Sequence, residues 1–179
     1  MSENPREKQE RDPLLLMPRE EAFMEILRLL HRRWRLSILA PMAYLLSGLI
    51  IQKFAFQTND MAEGLGIFST AESQALRWLG LILVGGIGFA LWKLLQQQYA
   101  DLALHGDHPR AFLVRAKRHQ LFQLALCDAV NLPGIALFLF AGDEVALLLF
   151  ALASLILFLI ALPSGKKLGI AMFRSGRSI

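Results

Sequence analysis

The chain has 179 residues, of which 55% are hydrophobic, a formal net charge of +4, and one cysteine, Cys127, which excludes an intrachain disulfide. Soluble domains are about 45–50% apolar, whereas here the apolar residues form blocks about as long as the roughly 20 residues that cross a bilayer. The basic residues lie beside these blocks, which argues against nucleic-acid binding and indicates orientation in a membrane.

The N-terminal part of the chain divides into a polar leader and an amphipathic segment. Residues 1–18 are mostly polar and contain three prolines, which predicts a flexible cytoplasmic leader. Residues 19–35 have acidic residues early, basic residues late and apolar residues at helical spacing. We expect an amphipathic interfacial helix that lies on the cytoplasmic membrane surface and runs into the first span. Its apolar face consists of Phe23, Ile26, Leu27, Leu30 and Trp34.

The rest of the chain predicts an all-α polytopic membrane protein. Residues 36–163 form the predicted transmembrane domain, and residues 164–179 form a basic cytoplasmic tail. The plainest span has no charged residue and ends at Pro163. The four predicted spans are about 36–56, 76–95, 120–140 and 145–162.

The charges between the spans predict their orientation. Base-rich segments precede the first and third spans and follow the fourth, while residues 57–75 contain acids and no Lys or Arg. The positive-inside rule then places both termini and the middle loop in the cytoplasm. With no organelle signal recognised, we expect a multi-pass protein of the bacterial inner membrane. Anionic lipid headgroups are the predicted partners of the basic side chains, which are Arg32, Arg33, Arg35, Arg115, Lys117, Arg118, Lys166 and Lys167.

The third predicted span carries an acid near its middle, Asp128, in the run LFQLALCDAVNLPGIALFLF. An ionised acid at bilayer depth is costly and indicates a functional site by default. Gln123 and Asn131 add polar groups by helical spacing, and Pro133 removes a backbone donor and predicts a kink near Ala129. These residues form a candidate proton or ion site.

The same residues fit a second interpretation. A neutral, protonated Asp128 could hydrogen-bond to a neighbouring helix and fix the packing. We slightly favour this packing role, because the centres of the predicted spans contain no cationic partner for the acid.

Small residues in the first two spans predict close helix packing. Gly48 lies in the first span, and Gly80, Gly85 and Gly88 lie in the second. Such residues fit either an oligomer interface or packing inside one chain. We favour packing of the second span against the first.

Motifs that would indicate catalysis are lacking in the sequence. It has no phosphate-binding loop, no H-E-x-x-H and no nucleophile elbow. The cluster HGDHP could contribute metal ligands, but a solvated turn fits it better because structural zinc sites need four ligands at fixed spacing. Ser154 is expected to bond back to its own helix. We therefore expect neither an enzyme, nor a cofactor, nor a metal.

One stretch resembles known membrane hairpins. It has an Ala-Leu-x-acid pattern (Ala125, Leu126, Asp128), followed by Pro133, Gly134, Phe138 and a polar turn at Gly142. Over residues 110–165 this resembles small bacterial four-span membrane proteins of unassigned function, which implies the same architecture here. The hairpin is also similar to the proteolipid of rotary ATP synthases. The proteolipid's acid lies on its second helix, however, and its polar cytoplasmic loop is missing here, so ring formation is only an analogy.

Two functions follow from these patterns. The first is a non-enzymatic accessory or assembly subunit of the membrane, working in a homo-oligomer or a larger membrane complex. The alternative is a small proton- or ion-coupled carrier centred on Asp128.

Overall fold

A computed structural model describes residues 17–51, 53–54 and 69–174 of the chain. These residues contain α-helices and no strands. Most of the predicted leader, the end of the first predicted span and the loop after it lie outside the described residues. The helices are α1 (Arg19–Ser37), α2 (Leu39–Ile51), α3 (Thr70–Ala103), α4 (Pro109–Ala129), α5 (Asn131–Ala141), α6 (Glu144–Ile160) and α7 (Gly165–Arg174).

Consecutive helices combine into longer segments. Four segments of the described chain are long and apolar enough to cross a membrane: Arg19–Ile51, Ala71–Ala103, Pro109–Ala141 and Glu144–Phe173. The all-helical class and the four long apolar helices are therefore confirmed. Each segment is longer than its predicted span, because the flanking polar residues continue the same helical run.

Prolines set several of the interruptions. A proline lacks the backbone donor of a helical hydrogen bond and crowds the carbonyl four residues earlier. α1 ends at Ser37, four residues before Pro41, and α4 ends at Ala129, four residues before Pro133. The interruption at Val130 thus falls next to Ala129, where the sequence predicts a kink. α3 begins instead at a capping box, in which Ser69 Oγ accepts from Glu72 N and Glu72 accepts from Ser69 N.

The chain divides into two compact units. The described parts of the first unit are residues 17–33, 95–121 and 163–174. Its core joins side chains of α1, α3, α4 and α7, including Ile26, Leu30, Leu102, Phe112, Leu168 and Met172.

This core adds detail to two of the predicted segments. The predicted interfacial helix buries its apolar face in protein, because Ile26 is fully buried and Leu30 is 2% exposed. The predicted basic tail is in part the helix α7, which contributes Leu168 and Met172 to the same core. The helical spacing of the apolar residues was read correctly in α1, but spacing alone does not tell a protein core from a lipid surface.

The described parts of the second unit are residues 34–51, 53–54, 69–94 and 122–162. α6 contributes the most buried residues to it, including Phe150, Ser154 and Phe158. α5 and α6 form a tight antiparallel hairpin, in which Gly142 adopts a left-handed conformation (φ 67°) and ends α5.

The glycines of this unit pack differently from the expectation. A Cβ added to Gly48 would lie 2.3 Å from Leu147 Cδ2, and one added to Gly80 would lie 2.4 Å from Phe150 Cζ. Both glycines therefore face α6, not each other's helices, because the large side chains of α6 fill the space they leave. Gly88 also faces α6, whereas Gly85 has nothing within 4 Å.

Candidate functional site

Asp128 lies at the C-terminal end of α4, just before the interruption at Val130, and is half-buried. Tyr44 Oη of α2 donates to Asp128 Oδ2 at 3.3 Å. Asn131 Nδ2 donates to Asp128 Oδ1 at 3.4 Å. Both bonds are long, and both donors are neutral. Among the described residues, no cationic side chain forms an ion pair with this carboxylate.

The polar contacts continue from Asn131 into α6. Asn131 Nδ2 donates to Ser154 Oγ at 3.0 Å, and Ser154 Oγ donates to the carbonyl of Cys127 at 2.7 Å. Ser154 therefore bonds to a neighbouring helix rather than to its own, contrary to the expectation from sequence. This polar network, made of Tyr44, Cys127, Asp128, Asn131 and Ser154, joins α2, α4, α5 and α6.

One oxygen of the network lacks a hydrogen-bond donor among the described residues. Asn131 is 2% exposed, and its Oδ1 atom is buried without a hydrogen-bond partner in the described part of the chain. A buried acceptor without a donor costs about 1–3 kcal/mol. Such an atom is satisfied when a proton donor or a cation is bound beside it.

The structure brings only some of the predicted site residues together. Asp128 and Asn131 are in contact. Gln123 is buried five residues before Asp128 on α4, and Pro133 lines an apolar groove between α3 and α5. Sequence reasoning missed Tyr44 as a partner. The signal was present, since Tyr44 is the single tyrosine of its apolar segment, but nothing in the sequence shows which helix it faces.

A second carboxylate, Asp143, is held much more firmly at the turn between α5 and α6. Its Oδ2 accepts from Arg77 Nε at 3.0 Å, from Arg77 Nη2 at 2.7 Å and from Ser73 Oγ at 2.9 Å. Its Oδ1 accepts from Ala146 N at 2.9 Å and caps α6. We call Asp143, Arg77 and Ser73 the turn clamp. Arg77, which could have extended to the interface by itself, instead pairs with this acid.

The protonation of Asp143 follows from these contacts. Burial raises the pKa of the Asp143 carboxyl, but the bonds from Ala146, Arg77 and Ser73 and the charge of Arg77 outweigh it. The pKa therefore lies below its usual range, and Asp143 is ionised at neutral pH.

An open apolar groove lies between α3 and α5. Its volume is about 620 Å³. Its lining residues are Leu76, Leu79, Gly80, Ile82 and Leu83 of α3 and Pro133, Ala136, Leu137 and Phe140 of α5. Several of the lining side chains are well exposed, and Ile82 is 73% exposed.

The first unit holds a separate polar cluster around Asp101. Arg115 donates to Asp101 at 3.0 Å, and His119 Nε2 lies 2.9 Å from the same carboxylate. In the HGDHP segment, Asp107 pairs with Arg19 at 3.2 Å and His105 Nδ1 lies 3.0 Å from the Asp101 carbonyl. Within the described ranges, no group of three or more His, Cys, Asp or Glu side chains could hold a metal ion.

The basic residues predicted to meet lipid headgroups are mostly on the surface. Seven of the eight are exposed, among them Arg115, which also pairs with Asp101, and Lys117 is half-buried. The exposed residues other than Arg115 are Arg32, Arg33, Arg35, Arg118, Lys166 and Lys167.

Comparison with protein-family models, with curated proteins and with solved structures gives no match to this chain.

Proposed function

We propose that the protein is a four-span integral membrane protein of the bacterial inner membrane that acts as a non-enzymatic accessory or assembly subunit. The segments before the first span and after the fourth lie in the cytoplasm, together with the loop between the second and third spans. Four long apolar helices and the grouping of basic residues on alternate connections support this placement.

The uneven burial of the four helices carries the subunit proposal. In the most apolar window of the first and second helices only 11% of the residues are buried, against 39% and 44% in the third and fourth. Most residues of these two windows are therefore at least partly uncovered by the described part of the chain. In a bilayer such a surface meets lipid or the helices of another protein.

The open side of α3 supports a protein neighbour more specifically. Gly85 and Gly86 are exposed and have no atom within 4 Å of an added Cβ. Small residues lower the distance at which a second helix can approach, and such approach is a main source of helix association in lipid.

Extraction in a mild detergent, followed by native mass measurement, tests this proposal. We expect a complex heavier than one 20.1 kDa chain. Gly86→Leu should dissociate it, because a large side chain blocks close approach on the open side of α3. Ile156→Phe, on an exposed position of α6, is the matched control and should leave the complex intact. A monomer for the unsubstituted chain would refute the subunit role.

A second candidate, a small proton- or ion-coupled carrier, is favoured by the polar network. Asp128 has no cationic partner among the described residues, and the buried Asn131 Oδ1 has no donor. Both groups lie at a helix interruption, where transporters expose backbone and side-chain oxygens to ions. A bound proton or cation would satisfy the carboxylate and the amide oxygen together.

Reconstituted vesicles separate the two candidates. A carrier should dissipate an imposed proton or sodium gradient, and Asp128→Asn should abolish that flux. Glu144→Gln removes an exposed acid and serves as the control. Equal flux in unsubstituted and Asp128→Asn vesicles would eliminate the carrier.

A further inference from the structure

The polar network of the second unit contains two electronegative groups whose hydrogen bonding is incomplete. The Asp128 carboxylate accepts two long bonds within the described chain, at 3.3 and 3.4 Å, and both donors are neutral. The Oδ1 atom of Asn131 has no hydrogen-bond donor among the described residues, although the side chain is 2% exposed. A buried oxygen without an electropositive partner is uncommon in folded proteins and indicates a place for a bound group.

A third oxygen loses its helical partner at the interruption between α4 and α5. In a continuous helix the N–H of residue 133 would donate to the carbonyl of Ala129, but Pro133 has no N–H. The Ala129 carbonyl follows directly after Asp128 and precedes Asn131 by two residues. Asp128, Ala129 and Asn131 therefore supply a carboxylate, a backbone carbonyl and an amide oxygen within one helical turn.

The neighbours of Asn131 fix the orientation of its amide. Nδ2 donates to Ser154 Oγ at 3.0 Å, and Ser154 uses its single proton on the Cys127 carbonyl at 2.7 Å. With the amide reversed, its oxygen would face Ser154 Oγ and the ionised Asp128, and neither has a free proton to donate. The atom without a partner is therefore the oxygen, which attracts positive charge.

We propose that the oxygens of Asp128, Ala129 and Asn131 bind one alkali-metal cation, for which Na⁺ is the test ion. The inference rests on the carrier candidate, whose polar network it uses, and names the ion that this network takes. A proton on Asp128 satisfies the carboxylate but leaves the Asn131 oxygen unpartnered, whereas one cation coordinates several oxygens at once. Asn131 Nδ2 is 3.4 Å from Asp128 Oδ1, so the amide oxygen on the same carbon is within about 6 Å of that carboxylate oxygen. One ion, directly or through a bound water, spans that distance.

The charge of the network favours a monovalent ion. Asp128 supplies its single negative charge, and the other members, Tyr44, Cys127, Asn131 and Ser154, are neutral. A divalent cation would therefore bring one positive charge more than the network balances, and an unbalanced charge is costly where the surroundings are buried. Carboxylate, carbonyl and amide oxygens are also the ligands that hard cations prefer.

Binding of radioactive Na⁺ to the purified full chain tests the site directly. The chain is equilibrated in detergent with labelled Na⁺, with choline chloride added to hold the ionic strength constant, and the bound label is counted. We expect saturable binding of one Na⁺ per chain. Asp128→Asn should weaken that binding at least about tenfold, because it removes the only charge that faces the ion. A folded unsubstituted chain that binds no Na⁺ saturably would overturn the proposal.

Matched variants separate the site from a general effect of salt. Glu144→Gln removes an exposed acid of the same unit and should leave Na⁺ binding unchanged. Asn131→Leu removes the amide oxygen with little change in size and should weaken binding about tenfold. If Asn131→Leu does not fold, Asp128→Asn decides, because it loses only two long bonds. Equal Na⁺ binding in Asp128→Asn and Glu144→Gln would contradict the proposal.

Thermal unfolding gives a second measurement on the same proteins. An ion that binds only the folded chain raises its Tm, so NaCl should raise the Tm above its value in choline chloride. We expect this rise in the unsubstituted chain and in Glu144→Gln, and its loss in Asp128→Asn. An equal rise in all three would overturn the assignment to Asp128.

Competing ions test the charge assignment. Ca²⁺ at the concentration of the labelled Na⁺ should displace little of it, whereas unlabelled Na⁺ should displace it fully on repeated exchange. Displacement by Ca²⁺ that equals displacement by unlabelled Na⁺ would overturn the choice of a monovalent ion.

The outcomes also separate this inference from the proposed functions. Na⁺ binding that is lost in Asp128→Asn, without sodium flux in vesicles, supports the site and refutes only the carrier candidate. Proton flux that Asp128→Asn abolishes, without Na⁺ binding, overturns the cation site and keeps the carrier. A monomeric chain that binds one Na⁺ supports the site and refutes the subunit role.

Discussion

Asp143 and Asp128 are two acids of the same unit that the structure holds in opposite ways. Asp143 accepts four hydrogen bonds, two of them from a guanidinium, at 2.7–3.0 Å. Asp128 accepts two, from a phenol and an amide, at 3.3 and 3.4 Å. The charge of Asp143 is compensated by a guanidinium and by the N-terminus of α6. Asp128 accepts hydrogen bonds from neutral groups.

The difference shows which carboxylate has its charge stabilised by the fold and which does not. In the turn clamp Asp143 stays ionised at neutral pH, because Arg77 stabilises the ionised form and lowers the pKa of the carboxyl. Asp128 has no such partner in the described chain, so any charge on it must be met by a proton or a cation from outside. We therefore regard Asp143 as a fixed link between α3 and the α5–α6 turn. Asp128 is the carboxylate that we propose can take up a proton or a cation.

The largest predicted effect comes from breaking the turn clamp. Arg77→Met leaves Asp143 buried and ionised without a cation, and should cost about 3 kcal/mol of unfolding free energy. Unfolding in mixed micelles, followed by circular dichroism, measures it. Lys93→Met is the control: this exposed lysine lies over the rings of Phe89 and Trp92, and its loss should cost less than about 0.5 kcal/mol. Equal losses in the two variants would contradict the clamp.

A second variant sharpens that result. Adding Asp143→Leu to Arg77→Met removes the stranded charge as well, and should recover part of the lost stability. No recovery would mean that the cost of Arg77→Met does not arise from an uncompensated carboxylate.

The next effect concerns the close approach of α3 to α6 on which the clamp depends. Gly80→Ala places a methyl against the buried ring of Phe150 and should cost about 1–3 kcal/mol. Gly85→Ala meets nothing within 4 Å and should instead stabilise the helix by about 0.5–1 kcal/mol. The same unfolding assay compares them, and a loss in both would show that the contact with Phe150 is not the cause.

A smaller effect is expected from pH. Because the pKa of Asp143 is lower in the folded protein than in the unfolded chain, its contribution is complete above the unfolded pKa of about 3.9. That contribution is lost as pH falls towards the folded pKa. Asp143→Asn should therefore flatten the decline of stability below about pH 4, as measured by thermal unfolding at graded pH. A decline as steep as in the unsubstituted protein would refute the assignment to Asp143.

The smallest effect is expected at Asp128 itself. Asp128→Asn keeps an acceptor for Tyr44 and loses only weak bonds, so it should cost less than about 1 kcal/mol in the unfolding assay. Asp143→Asn should cost clearly more. If Asp128→Asn is the more damaging of the two, Asp128 is a structural residue and the roles of the two acids are reversed.

The sequence predicts the local features of the fold but not which surfaces become buried in protein. The helical class, the four apolar segments and the interruption before Pro133 follow from composition, run length and backbone chemistry, which are local properties. The burial of Ile26 in a protein core does not, since an amphipathic pattern describes lipid surfaces and protein cores alike.

The site shows the same division. Asp128 and Asn131 are three positions apart on one chain segment, and this spacing was enough to place both in one candidate site. Tyr44 and Ser154 reach them from other helices, and Arg77 reaches Asp143 across 66 positions of sequence. Such pairs depend on which helix faces are opposed, and hydrophobicity alone does not specify the rotation of an apolar helix.

Labelling of single cysteines tests the proposed four-span topology most directly. In a Cys127→Ala background, Ala71→Cys, His108→Cys and Lys166→Cys are introduced at exposed positions. A membrane-impermeant maleimide is then added to intact spheroplasts. The account predicts labelling of Ala71→Cys at once, and of His108→Cys and Lys166→Cys only after the membrane is permeabilised. Labelling of His108→Cys or Lys166→Cys from outside, or of all three only after permeabilisation, would contradict it.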